Sequence, residues 1–340
     1  MSRIWFNKTF SSIHVALRLI REMDREGRYR IICSGPNQHA IVALASDEFI
    51  VEPKGLSAKE YINWCLTFAK ENNIQIFIPG KEASLISGSQ DLFEALGTRV
   101  LSAARPDMLE IIHNKAAFYA SVKSAHAPPP LWKAISNNAE FDLAYNELSI
   151  SNTQLCIKPA VSVFGIGFRR IRTDKSAFEL MMQGGDYQIS LDLLKEMLKQ
   201  TDVFPTLLLM EYLAGYEYSV DCLCSDGELI CAVPRKKPLH VGEGQLIDDR
   251  ADIISACKEI ARQFFLNGYI NIQFREGNQG LRVLEVNPRM SGGIGMACLS
   301  GINLPYLGLV GFDRGYECVE IPALVKGRRV GEINLPVVLP

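Results

Sequence analysis

The chain contains Leu284-Glu285-Val286-Asn287-Pro288-Arg289, and twelve residues before its glutamate lies the glutamine of Asn271-Ile272-Gln273-Phe274. Glu285 and Asn287 are two apart in a predicted β-strand, so their side chains point to the same face. The Gly- and Asn-rich residues between the two segments predict a turn that places Gln273 opposite them. One carboxylate and two amide oxygens are hard ligands, which suit Mg²⁺ or Mn²⁺ rather than zinc. The pattern therefore predicts a metal-binding hairpin.

A plainer interpretation of these residues is also open. Asn287 and Pro288 can simply end a strand, with Glu285 in solvent. A register shift of one residue would turn Gln273 to the opposite face and remove it from the ligand set. Other parts of the chain have to distinguish the two interpretations.

A loop suited to phosphate binding lies earlier in the chain. Lys158 ends an apolar run and is followed by residues 160–167, which include Ser162, Gly165 and Gly167. Glycines allow backbone N–H groups to approach a phosphate closely. An ordinary hairpin turn has a similar composition, so this loop alone is compatible with both roles.

A second lysine lies at the start of a predicted helix. Asn114 is a suitable N-cap for a helix over 116–123, which places Lys115 at the first turn. A lysine at that position is usually solvated. It gains a functional interpretation only in combination with the other segments.

These segments, in their order along the chain, resemble the motifs of the ATP-grasp superfamily, in which Glu-x-Asn-Pro-Arg closes the metal site. The resemblance implies that Lys115 and Lys158 reach the phosphates of ATP, beside a phosphate loop that contains Ser162, Gly165 and Gly167. It also implies two metal ions, Mg²⁺ or Mn²⁺. The Gln, Glu, Asn set also resembles that of the large subunit of carbamoyl phosphate synthetase. A narrower resemblance is to the ATP-grasp group linked with tellurite-resistance-type stress operons.

Residues 207–221 resemble the superfamily's hinge between lid and catalytic core. An extended hinge can bind adenine through one backbone C=O and one N–H, and Glu211 and Leu213 flank Tyr212 as candidates for these contacts. Glu217 would accept hydrogen bonds from the ribose hydroxyls, because a carboxylate is acceptor-only. The alternatives are that Glu211 is a surface strand residue and that Glu217 forms a salt bridge.

Two arginines are candidates for charge stabilisation. Arg235 follows a predicted strand over 229–233 and could stabilise the phosphoryl group during transfer. Arg289 could hold a substrate carboxylate or phosphate through its planar fork. The alternative for residues 235–237 is a solvated, basic β-turn.

The fold class predicted is α/β (α+β), an ATP-grasp fold with an N-terminal Rossmann-like pre-ATP-grasp domain, a small α+β lid and a C-terminal catalytic domain. Alternating strands and helices in the first hundred residues indicate a small parallel sheet. We place the pre-ATP-grasp domain at 1–105 and the ATP-grasp domain at 106–340. Within the latter, the lid covers about 127–206, and the core covers 106–126 and 207–340.

The N-terminal domain lacks the Gly-x-Gly-x-x-Gly fingerprint of a dinucleotide site, which argues against a dehydrogenase. Its loops 8–12 and 80–84 leave the carboxyl ends of predicted strands, where open α/β sheets bind ligands. They are our candidates for substrate contacts.

Composition limits the partners and the location. The chain has 340 residues, 48% hydrophobic content and a net charge of −2, which does not favour nucleic acid. No apolar run approaches the ~20 residues of a membrane span. The nine cysteines lie in apolar patterns and form no zinc set, as expected of reduced thiols in the cytoplasm. We expect a cytoplasmic protein with small-molecule partners, no nucleic acid and no membrane; a homodimer is a possible assembly.

The resemblance implies an ATP-dependent carboxylate–amine ligase. ATP would phosphorylate a carboxylate, and an amine or similar nucleophile would displace phosphate from the acylphosphate, leaving ADP as the other product. Two alternatives stay open. One is a kinase that phosphorylates a small molecule, and the other is a nucleotide-binding regulator without turnover.

Overall fold

The structure is a computed structural model. It describes residues 1–10, 13–150, 154–162, 165–184, 187–240 and 242–339. Ser11 and Ser12, which end the first of the two predicted substrate loops, lie outside the described residues. Within the described part, no helix is both long and apolar enough to cross a membrane.

The N-terminal part forms a five-stranded parallel sheet with strand order β3-β2-β1-β4-β5. The strands are β1 (Ser2–Asn7), β2 (Tyr29–Gly35), β3 (Glu48–Val51), β4 (Ile76–Ile78) and β5 (Arg99–Val100). The helices are α1 (Ile13–Met23), α2 (Ala58–Glu71), α3 (Ala83–Ser87) and α4 (Gln90–Glu94), with a 3₁₀ turn at Ile41–Leu44. Parallel strands require such crossover helices.

Both faces of this sheet are covered. Ile4 and Phe6 pack in one hydrophobic cluster, whereas Trp5 packs in another on the opposite face. This alternation follows from the two-residue period of a strand. A capping box starts α2, because the Ser57 side chain accepts from the Glu60 N–H and the Glu60 side chain accepts from the Ser57 N–H.

Two short helices lead from this sheet to the middle of the chain, α5 (Pro106–His113) and α6 (Lys115–Ser121). A second five-stranded sheet follows, with order β6-β10-β7-β8-β9. Its strands are β6 (Trp132–Ile135), β7 (Leu155–Pro159), β8 (Arg169–Arg172), β9 (Gln188–Ser190) and β10 (Leu207–Glu211). Its helices are α7 (Asn138–Ser149), α8 (Ala177–Met182) and α9 (Leu191–Leu198).

The third sheet has six strands in the order β15-β14-β11-β12-β13-β16. They are β11 (Glu217–Ser225), β12 (Glu228–Lys236), β13 (Gln245–Ile247), β14 (Gly268–Gly277), β15 (Gly280–Asn287) and β16 (Arg329–Val330). The helices are α10 (Ala251–Gln263), α11 (Ile294–Cys298) and α12 (Leu304–Arg314), with a 3₁₀ turn at Tyr316–Cys318.

The faces of the third sheet differ in polarity. Val220, Ile272 and Val286 pack with residues of α10 in the largest hydrophobic cluster. Their neighbours along the same strands alternate to the opposite face and are mostly polar. That polar face forms the floor of the cleft described next.

Candidate active site

A cleft with a volume of about 870 Å³ is lined by the second sheet, the hinge after β10 and the polar face of the third sheet. All the predicted site residues line it except Gly167 and Asn287. Asn287 nevertheless contacts two lining residues through side-chain hydrogen bonds, Glu285 and Arg289. The structure thus brings together residues that are far apart in sequence, while the role of each stays a prediction.

The hairpin of β14 and β15 has the register that the sequence suggested. Gln273 pairs with Glu285 and Asn271 with Asn287, so these side chains lie on one face. The Asn287 amide Nδ2 donates to Glu285 Oε1 over 3.0 Å. A set with one carboxylate and two amides fits Mg²⁺ or Mn²⁺ when phosphate oxygens and water complete the coordination. Among the described residues, no group of three His, Cys, Asp or Glu side chains offers another metal site.

Lys115 connects the start of α6 to this hairpin. Asn114 caps α6 as predicted, by accepting from the backbone N–H groups of residues 116 and 117. The Lys115 Nζ donates to the Ser162 carbonyl over 2.9 Å and lies 3.5 Å from Glu285 Oε2. Burial lowers the pKa of Lys115, against the attraction of Glu285. Burial would raise the pKa of Glu285, but the lysines and Asn287 outweigh it and lower that pKa.

Lys158 connects the lid strand β7 to the same hairpin. Its Nζ donates to the Tyr119 hydroxyl over 2.9 Å, and that hydroxyl donates to the Leu284 carbonyl over 2.8 Å. Burial lowers the pKa of Lys158, while the charge of Glu285 opposes the shift. Two lysines with lowered pKa therefore face one carboxylate, an arrangement that a polyanionic ligand would stabilise.

The predicted phosphate loop has the conformation that its glycines allow. Gly165 and Gly167 have φ of 69° and 81°. A Cβ on Gly167 would lie 2.7 Å from the ring of Pro159, so the loop packs against the end of β7. Val163 and Phe164 lie outside the described residues.

The hinge offers the two backbone groups that adenine needs. The Glu211 N–H donates to the Leu131 carbonyl over 2.9 Å, and the Tyr212 N–H is bonded to the Gln154 carbonyl. Among the described residues, the Glu211 carbonyl receives only the weak S–H of Cys156, over 3.6 Å. The Glu211 C=O and the Leu213 N–H stay the predicted contacts of the base.

The predicted ribose acceptor, Glu217, lies beside two cations. It pairs with Lys237 and lies 3.8 Å from Arg275. Arg275 also lies against the ring of Tyr212, at 5.3 Å, and Arg170 lies 4.5 Å from that ring. The salt-bridge alternative for Glu217 is thus realised here, although its carboxylate also lines the cleft.

The surroundings of Arg235 differ from the expected turn. The strand β12 continues through Lys236, so Arg235 lies within it and is only 2% exposed. Its guanidinium donates to Asp221 Oδ2 over 2.9 and 3.1 Å, to Ser219 and to Ser291. Its Nη1 is bonded to the Gln245 amide. The solvated-turn alternative is therefore wrong for this residue.

Arg289 lines the cleft and makes its side-chain hydrogen bonds to neutral groups. Its Nη1 donates to the Met290 carbonyl over 3.0 Å and its Nη2 to Asn287 over 3.4 Å. Among the described residues, no carboxylate lies within ion-pair distance of it. Burial lowers the pKa of this guanidinium. A partly buried, unpaired arginine is suited to an anionic ligand.

Several lining residues were missed by the sequence interpretation. They are Arg170, Ser219, Gln245, Asn271 and Arg275, whereas Phe10, which also lines the cleft, belongs to the predicted substrate loop 8–12. Asn271 and Arg275 lie two residues on either side of Gln273, and Ser219 lies two residues after Glu217. The two-residue period of a strand would have placed all three on the face of the site.

Comparison with known proteins agrees with this geometry. The family "ATP-grasp in the biosynthetic pathway with Ter operon" matches residues 203–336. Carbamoyl phosphate synthase large chain from Clostridium beijerinckii is 37% identical over 99 residues. The match covers 25% of this chain and only 9% of that protein.

Solved structures resemble nearly the whole chain. An ADP complex of N5-carboxyaminoimidazole ribonucleotide synthetase has a TM-score of 0.67 at 15% identity, over 91% of this chain and 76% of that one. L-Amino acid ligase from Bacillus licheniformis has a TM-score of 0.62 at 13% identity, over 92% and 74%. At these identities the similarity is one of fold, and the predicted fold class is confirmed.

Proposed function

We propose that this chain is a member of the ATP-grasp superfamily and an ATP-dependent ligase that joins a carboxylate to an amine through an acylphosphate. One observation carries the proposal. The lysines of α6 and β7, the hinge, Gln273 and Glu285 line one cleft. Arg289 also lines it and has no acidic partner among the described residues. The cleft can therefore hold a nucleotide and a second anion side by side.

The charge of the cleft supports a polyphosphate ligand. Seven cationic and three acidic side chains line it among the described residues, a net charge of +4, whereas the whole chain carries −2. The cations are Lys115, Lys158, Arg170, Arg235, Lys237, Arg275 and Arg289, and the acids are Glu211, Glu217 and Glu285. A cleft of one sign with low-dielectric walls attracts ligands of the opposite sign.

Gln273, Glu285 and Asn287 would hold Mg²⁺ or Mn²⁺ against the phosphates, and the ions would supply charge neutralisation there. The Asn287 amide can present its oxygen beside Glu285 once rotated by half a turn, since its two ends exchange places. Glu285 is the one charged member of the set. We propose two ions on the resemblance, each dependent on nucleotide oxygens for part of its coordination.

The proposed reaction has two steps. A substrate carboxylate oxygen, held by Arg289, attacks the γ-phosphorus of ATP, and the bond from that phosphorus to the bridging oxygen of ADP breaks. The amine nitrogen then attacks the acyl carbon, the bond to the phosphate oxygen breaks, and the nitrogen releases a proton. Lys158 and Lys115 stabilise charge on the phosphoryl oxygens, and the lid sheet excludes water from the acylphosphate.

The three sheets also support the proposed domains. We assign 1–105 to the pre-ATP-grasp domain, about 127–206 to the lid, and 106–126 with 207–340 to the core. The loop after β4 and the described part of the loop after β1 meet at Gly80, near Arg289. This position makes them candidate substrate contacts.

The test is interception of the acylphosphate. With MgATP, hydroxylamine and a panel of carboxylic acids, the enzyme should form a hydroxamate and ADP in equal amounts, because hydroxylamine replaces the amine. Oxygen from ¹⁸O-labelled carboxylate should appear in the released phosphate. A phosphorylated product that retains the γ-phosphate would instead identify a kinase. ADP formation no faster than background with every acid would identify a nucleotide-binding protein without turnover.

A further inference from the structure

A small apolar pocket adjoins the cleft at Arg289. Its volume is about 40 Å³, and it lies between the carboxyl ends of β1 and β4 and the segment that follows β15. Its apolar wall includes the side chains of Phe6, Phe10, Ile78, Ala83, Leu101 and Met290. Tyr269 also lines it, but its hydroxyl donates to the Pro305 carbonyl over 2.6 Å. The Thr9 hydroxyl is the polar side-chain group that the wall offers besides Arg289, and the rest of the wall is mainly apolar.

Arg289 is the charged residue of this pocket in the described part of the chain. Its guanidinium lies 4.8 Å from the ring of Phe10, and both residues line the pocket and the nucleotide cleft. Within the described part of the chain, the junction of the two spaces thus has a cation without an acidic partner, while the space behind it is mainly apolar. A carboxylate with an apolar tail matches both features.

The pocket is held in shape by a buried polar network. The Gly80 N–H donates to Asn7 Oδ1 over 2.8 Å, and Asn7 Nδ2 donates to the Tyr61 hydroxyl over 2.8 Å. That hydroxyl donates to Glu52, over 2.8 Å. A Cβ on Gly80 would lie 2.2 Å from the Asn7 carbonyl, so the two loops are in direct contact. A wall fixed in this way selects ligands by size.

We propose that this pocket receives the side chain of the acid substrate, and that the substrate is a carboxylic acid with an uncharged aliphatic side chain of about three to four carbon atoms. One water molecule needs roughly 10–15 Å³ of such a volume, so about 40 Å³ holds roughly three heavy atoms. An aliphatic group gains by leaving water here, whereas a charged tail would lose its hydration without a partner. This inference rests on the proposed ligase function.

Two matched series of acids test the pocket. Acetate, isovalerate and succinate share one carboxylate and differ in the tail; glycine, valine and aspartate are their 2-amino counterparts. With MgATP and hydroxylamine, the branched aliphatic member of the reactive series should exceed the member without a tail by ~10-fold or more in kcat/KM. It should exceed the member with a charged tail by at least as much. A preference for succinate or aspartate would overturn the proposal and leave the ligase function standing.

A filling variant tests the location. Ala83→Leu adds three carbon atoms to the pocket wall at the start of α3, where the alanine is only partly buried. It should lower kcat/KM for the aliphatic acid by ~10-fold or more, while the acid without a tail changes less than threefold. Ala58→Leu, at the exposed first residue of α2, is the matched control and should change neither value. An unchanged ratio in Ala83→Leu would refute the location.

A failure of the proposed ligase function can be distinguished from a failure of the pocket assignment. If no acid yields a hydroxamate, calorimetry with the same six acids and MgADP still tests the pocket. Isovalerate or valine should bind ~10-fold more tightly than its counterpart without a tail, and Ala83→Leu should remove the difference. Equal affinities or no binding would overturn the pocket assignment itself.

Discussion

Replacing Glu285 by glutamine tests whether this residue is a metal ligand or only the ion-pair partner of Lys115. The Lys115 Nζ lies 3.5 Å from Glu285 Oε2, and the side chains are 9% and 27% exposed. At an effective dielectric constant of ~20, two charges at this distance attract by about 5 kcal/mol. Removing one partner of a buried pair destabilises by about 3–5 kcal/mol. Glu285→Gln should therefore lower the unfolding midpoint, because Lys115 keeps its charge without a partner.

The double variant with Lys115→Met removes that penalty. Both partners are then uncharged and of similar size, so much of the stability should return. Turnover should not return. Loss of a charge-stabilising group in the site lowers kcat by ~10²- to 10³-fold, and neither glutamine nor methionine restores a carboxylate to the ion. Glu147→Gln, in the exposed pair with Lys133, is the control and should change stability by about 1 kcal/mol or less.

The assay is chemical unfolding of the four proteins beside ADP release across a range of Mg²⁺ concentrations. Glu285→Gln should need more Mg²⁺ for half-maximal rate as well as losing maximal rate. Turnover within threefold of the parent at saturating Mg²⁺, with an unchanged Mg²⁺ dependence, would refute the ligand assignment. Glu285 would then be only the partner of Lys115.

Three further predictions concern the nucleotide and the buried arginine. Lys158→Ala should weaken ATP binding and slow phosphoryl transfer, whereas Glu217→Ala should act mainly on affinity; unchanged affinity of both by calorimetry would contradict the lid and hinge assignments. Because burial lowers the pKa of Lys158, ATP affinity should begin to fall with rising pH before the free-lysine value near 10.5, and Lys158→Arg should make that fall shallower, since arginine keeps its charge. An identical pH profile in the two proteins would show that Lys158 does not titrate in this range. Gly293→Ala would place a Cβ 2.5 Å from Arg235 Nη1 and should lower kcat by ~10-fold or more. Gly292→Ala is the control and should have little effect on kcat, because no described atom lies within 4 Å of its added Cβ. Equal rates in the two variants would contradict a role for the position of Arg235.

The sequence predicted the elements that carry local signals. The turn between β14 and β15 followed from its glycines, and the start of α6 followed from the Asn114 cap. The pairing of Gln273 with Glu285 also needs a β-bulge between Gln273 and Phe274, because a regular ladder from the turn would pair Gln273 with Leu284. The environment of Arg235 could not be predicted in this way. Its partner Asp221 lies on a neighbouring strand, and only the pairing of β11 with β12 shows that the two side chains meet in the interior. The apolar pocket is equally non-local, because its walls come from the first sheet and the segment after β15.

The single carboxylate of the metal set bears on the order of binding. Glu285 is already close to Lys115, and the Asn287 oxygen accepts from Arg289 over 3.4 Å, so two of the three oxygen ligands are engaged within the protein. One carboxylate and two amides give a divalent ion less charge than it receives in sites with two acids. ATP changes this balance, because its phosphates attract Lys115 and Lys158 and bring their own oxygens to the ion. We therefore expect the nucleotide to complete the proposed metal site, so that the ions enter this cleft with ATP rather than before it.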